Sequence, residues 1–95
     1  MPSINIRSPT ENTGIVIMHF HSQESPYSKI QSVVLDKFDD IDVKTRNIDD
    51  HEDSFHIYNV STVPTVIFIK EQDEKARWTT VVSYEKMRDT IDLYL

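Results

Sequence analysis

Apolar positions fall into short continuous runs and helical stripes along the chain. Residues 14–21, "GIVIMHFH", are rich in β-branched and aromatic residues and nearly continuous in apolar character, as in a strand covered on both faces; they predict the central strand. Ser25 before Pro26 predicts a helix start, and Ile30, Val33, Val34 and Phe38 at helical spacing extend that helix over about Pro26 to Phe38 with one buried face. "DVKTRNI" reads as a polar strand. "DDHEDSFHIYN" reads as a helix with acids in its first turn and Asn59 as a left-handed stop, leaving His51 and His56 toward solvent. "PTVIFIK" and "WTTVV" predict a strand pair joined by the charged turn "EQDEKA", with Trp78 packing on the hairpin. The chain closes with a Ser83 cap and a helix carrying Tyr84, Met87, Ile91 and Tyr94 on one face. With the alternating "SINIR" at 3–7 as a first strand, the order β, β, α, β, α, β, β, α predicts a mixed α/β sheet of four to five strands with helices on both faces.

At 95 residues without repeat or linker, the chain predicts one domain over 1–95, residues 1–13 forming either an edge strand or a loose segment. A net charge of −6 with scattered basic residues argues against nucleic acid as a partner. The apolar runs are far shorter than the ~20 residues that cross a bilayer, and the start lacks the pattern of a secretory signal. The expectation is a cytoplasmic monomer. Cysteine is absent, which removes disulfides, thiolate metal sites and thiol catalysis together. With Gly14 as the only glycine, turns must use Asn, Asp, Ser and Pro.

The most informative stretch is "HSQESPYSKIQ" at 21–31, a polar loop running into a helix that begins Pro-Tyr. Ser25 is read as an N-cap; a nucleophilic role with His19 or His21 as base has no supporting motif. His19 and His21, two apart on a strand, leave the same face and could hold zinc with Glu24, but such pairs more often pack, and no metal or cofactor site is assigned.

Three features resemble the thioredoxin family over roughly residues 14 to 95. "MHFHS" looks like the strand leading into the family's active site. "RNIDDHEDSFHIYNVSTVPTVIFIK" is similar to the family's second half, including Val63-Pro64-Thr65, with Pro64 where the family carries a cis-proline. "SPYSK" lies where the family has C-x-x-C-K, filled with the Pro-Tyr of the glutaredoxin type. The resemblance implies a thioredoxin fold in which Ser25 holds the nucleophile position and Ser28 the resolving position. A thiol at a helix N-terminus has a lowered pKa and attacks disulfides, whereas a serine hydroxyl does not. His19 falls at the family's buried acid, Thr45 at its accompanying lysine and Glu24 at its usual tryptophan.

The expectation is therefore a redox-inactive thioredoxin-like domain acting as a binding module. Its ligand is a protein or extended peptide in a groove beside Tyr27 and Pro64, with Pro26 and Val63 as neighbours. The alternative is a dithiol–disulfide oxidoreductase whose C-P-Y-C was changed to S-P-Y-S. A glutathione-binding protein ranks below both, since Lys29 is the only obvious base for the glutathione carboxylates.

Overall fold

The computed structural model describes residues 14–95. The strand expected at 3–7, and with it the choice between edge strand and loose segment, lies outside the described residues. Within them the elements are β1 (Ile15–His21), α1 (Pro26–Leu35), β2 (Asp42–Asn47), α2 (Glu52–Ile57), β3 (Thr65–Lys70), β4 (Asp73–Trp78) and α3 (Tyr84–Asp92). The sheet order is β2-β1-β3-β4. β1 runs parallel to β2, with His21 opposite Asn47, and antiparallel to β3, with Phe20 opposite Thr65. β4 completes an antiparallel hairpin with β3. This is the mixed α/β sheet with helices on both faces that the apolar pattern predicts.

Strand alternation divides the core. Ile15 and Ile17 of β1 join Val66 and Phe68 of β3, Leu35 of α1, and Met87 and Ile91 of α3 in one cluster. The intervening residues Met18, Phe20 and Ile67 meet Phe55 of α2 on the opposite face. Period-two alternation on a sheet covered on both sides produces this division, and it is why β1 and β3 read as continuous apolar runs. Among the described residues β2 lies at one end of this sheet, and its composition is the more polar of the parallel pair.

Three expectations need correction. The second strand of the hairpin is Asp73–Trp78 rather than "WTTVV". Glu71 and Gln72 form a two-residue turn with φ of 51° and 73°, the backbone that twists with a hairpin, so the strand starts inside the charged run. Residues 79–82 become a loop. Helix α1 stops at Leu35, and Phe38 is buried beyond its end. The face of α1 is also turned: Ser28, Gln31 and Leu35 are buried, while Ile30 and Val33 are exposed.

Gln31 accounts for part of that rotation. Its Nε2 donates to the Val82 carbonyl at 3.1 Å, and its Oε1 accepts from the Val82 amide at 2.7 Å. One buried side chain thereby satisfies both backbone groups of a loop residue that no strand can serve. At α2 the reading of Asn59 holds. Its φ is 57°, and the Val60 amide reaches back to the Phe55 carbonyl at 2.8 Å to close the helix. Gly14, φ 69°, occupies a backbone region that side chains avoid, and a Cβ there would meet Glu71 Cγ at 3.1 Å.

Replacing Gln31 by Leu strands the buried Val82 amide and carbonyl and is expected to cost about 2–4 kcal/mol in urea unfolding. Ile30→Ala and Val33→Ala, on the exposed face, are expected to stay within about 0.5 kcal/mol of the parent. Equal losses in both groups would contradict the rotated helix.

Candidate functional site

The loop between β1 and α1 is held by serine oxygens. Ser25, extended at φ −95° and ψ 115°, is the N-cap, and its Oγ accepts from the Ser28 amide at 3.2 Å. Pro26 follows as the first helical residue, where no amide is missed. Ser28 is fully buried, and its Oγ accepts from the Ser22 amide at 3.3 Å. The Ser25 amide in turn donates to the Ser22 carbonyl at 3.1 Å. Both hydroxyls are thus committed to the backbone. Among the described residues neither is hydrogen-bonded to a histidine, so the nucleophile arrangement considered for Ser25 is not assembled.

His19 is the chemical oddity of the site. It is fully buried on the central strand, on the face of Ile15 and Ile17, and among the described residues neither ring nitrogen has a hydrogen-bond partner. Its ring stacks on that of His21 at 5.4 Å. Burial first, and the neighbouring His21 charge second, push its pKa down from 6.5 to about 4. Thr45 stands opposite it in the β1–β2 register. Glu24 is exposed, and among the described residues no group of three or more His, Cys, Asp or Glu side chains is placed to hold a metal.

Beside the loop lies a groove of about 390 Å³ lined by Tyr27, Val63, Pro64, Thr79, Thr80 and Val81. The Val63–Pro64 peptide bond is cis. The fold therefore brings together three of the residues singled out in the sequence, Tyr27 from α1 and Val63 and Pro64 from the segment before β3. Pro26 is exposed but does not line the groove, and neither does Ser25, the N-cap, or Ser28, which holds the Ser22 amide. Sequence reasoning misses Thr79 to Val81 because "WTTVV" reads as a strand; the available signal is that the run follows a complete six-residue strand. A larger groove of about 670 Å³ crosses the opposite sheet face between Lys44, Arg46 and Tyr58. It contains none of the loop residues, and Gly14, where the described residues begin, is part of its wall.

No protein-family model matches the chain, and no curated protein matches it in sequence. Solved structures do match. A malarial thioredoxin-2, described as a component of the parasite's protein secretion machinery, is similar with a TM-score of 0.80 at 20% identity, over 96% of this chain and 88% of that one. The chain has the thioredoxin fold. A mutant thioredoxin from Halobacterium salinarum is similar with a TM-score of 0.78 at 18% identity, over 90% of this chain and 78% of that one. For a Fasciola hepatica thioredoxin the values are 0.74 and 22%, over 90% and 86%. On this thioredoxin fold, no thiol stands at the loop, and a buried imidazole without a partner among the described residues lies on the strand leading to it.

Two outcomes are expected. Ser25→Ala removes the N-cap and should cost about 1 kcal/mol in urea unfolding, with Ser25→Asp near the parent; equal losses in both would contradict the cap. For His19 the folded pKa lies below the unfolded one, so its neutral form is favoured by folding. Stability is full above pH 6.5 and falls as pH drops from 6.5 toward 4, by about 3 kcal/mol in all. Urea midpoints of the parent and His19→Leu across this range should diverge toward acid; parallel curves would contradict the assignment.

Proposed function

We propose that this domain binds an extended, mainly apolar protein segment in the groove formed by Tyr27, Val63, Pro64 and Thr79–Val81, without dithiol chemistry, in the cytoplasm. The observation that carries this reading is the open groove beside a loop whose two motif serines serve as backbone acceptors. Shape, exposed edge amides and apolar walls do not depend on sulfur, so a peptide site persists when thiols are absent. The lining contains apolar surface from Tyr27, Val63, Pro64 and Val81, with the hydroxyls of Thr79 and Thr80 between them and, among the described residues, no charged side chain. Such a lining favours neutral, apolar side chains and does not suit the two carboxylates of glutathione.

A second reading is supported by one specific feature, the Pro26-Tyr27 pair between two serines. Serine is the nearest isostere of cysteine, and this arrangement is what replacement of a C-P-Y-C dithiol would leave. In that reading the parent enzyme is a dithiol–disulfide oxidoreductase. The thiolate at position 25 attacks a substrate disulfide and releases one substrate thiolate. The thiol at position 28 then displaces the second substrate sulfur, leaving a protein disulfide and a reduced substrate.

Two-dimensional amide NMR with a library of cysteine-free extended peptides tests the binding reading. Shifts at Tyr27, Val63, Thr80 and Val81, with a roughly tenfold or greater loss of affinity in Tyr27→Ala, are expected. Absence of shifts at these residues would overturn it. For the second reading, the Ser25→Cys, Ser28→Cys double variant should reduce insulin disulfides while the parent does not; an inert double variant would remove that reading.

A further inference from the structure

Helix α1 is inverted relative to its composition. Ser28 and Gln31 are fully buried, whereas Tyr27, Ile30 and Val33 are 64%, 51% and 64% exposed. At about 3.6 residues per turn Ile30 and Val33 share the face turned away from Ser28 and Leu35, whereas Tyr27 is turned toward the groove beside Val63 and Pro64. Single exposed apolar residues need no account, but Ile30 and Val33 adjoin across nearly a full turn of this outer face, which ends at the exposed Lys37. Covering apolar surface that is otherwise left in water favours association.

The charges beside this face indicate what covers it. Lys29 and Asp36 are both exposed, and Asp36 keeps helical geometry at φ −62° and ψ −15°. Seven residues apart, they lie one above the other on the same flank, a cation near the helix start and an anion just past its end. A second identical helix laid antiparallel about a twofold axis brings the same flank of each copy together and reverses the order of its charges. With the axis between Gln31 and Ser32, Ile30 meets Val33 of the partner subunit. Lys29 is then about two residues, ~3 Å along the axis, from alignment with Asp36 of the partner subunit, within the reach of a lysine side chain. A parallel arrangement puts the charged flanks on opposite sides and leaves both unpaired.

We infer that the outer face of α1, centred on Ile30 and Val33 and flanked by Lys29 and Asp36, is a self-association surface that takes a second copy of this chain in an antiparallel, twofold pair. The contact is isologous, so each apolar and charged interaction occurs twice. A net charge of −6 on each copy opposes the approach at long range, which sets a weak, reversible equilibrium rather than an obligate dimer. The monomer expected from sequence is the opposing outcome of the test below.

Sedimentation equilibrium of the full chain over micromolar to millimolar concentration tests the inference. The parent should show a reversible monomer–dimer equilibrium. Ile30→Glu should weaken it at least about tenfold, equivalent to about 1.4 kcal/mol, with unchanged thermal unfolding of the monomer because the site is exposed. Asp36→Lys should also weaken it by opposing Lys29, and the double variant Lys29→Glu, Asp36→Lys should restore the parent equilibrium. A chain that stays monomeric throughout, a dimer indifferent to Ile30→Glu, or a charge exchange that fails to restore association would each overturn the proposal.

Discussion

The geometry around the loop depends on two hydroxyl acceptors, Ser25 Oγ on the Ser28 amide and Ser28 Oγ on the Ser22 amide. Amides at the start of a helix have no partner within the helix, and an unpaired buried amide is costly. Here Ser25 Oγ satisfies one such amide, that of Ser28, while Ser28 Oγ ties the helix back to the Ser22 amide of the loop after β1, fixing where α1 begins and how it leaves β1. Tyr27 is consequently placed opposite the segment before β3, and the groove between them follows. A thiol is a poor hydrogen-bond acceptor by comparison, so serine is well matched to this structural duty.

Polarity inside the α1 face has a common pattern. Ser28, Gln31 and His19 are all fully buried there, yet among the described residues only the first two are bonded. Gln31 joins α1 to the loop before α3 through Val82, which also positions Thr79 to Val81 as the far wall of the groove. His19 contributes the opposite effect, a buried polar ring set beside a second imidazole. The thioredoxin fold accommodates it because the apolar core elsewhere on that face, from Ile15 to Ile91, supplies the burial that holds β1 in place.

Much of this was legible in the residues. The apolar runs of β1 and β3, the caps at Ser25 and Ser83, and the left-handed stop at Asn59 each follow from local chemistry that tertiary packing leaves intact. Tyr27, Val63 and Pro64 could be placed together only through the resemblance, since no local pattern links positions so far apart in the chain. What sequence hid was of two kinds. Edge strands tolerate polar residues, so "DEKARW" resembled a turn and the loop after it resembled a strand. On α1, a long-range bond from Gln31 to Val82 outweighed the ordinary preference for burying Ile30 and Val33, and helical periodicity carries no information about such a partner.

Serine oxygens, not sulfur, preform this loop and the groove beside it. Hydrogen exchange of the Ser22 and Ser28 backbone amides in the free protein measures this most directly. Both should exchange far more slowly than the amide of exposed Gln23, and Ser25→Ala should release the Ser28 amide selectively. Exchange of both amides at the rate of an open loop, unchanged by that substitution, would contradict the account.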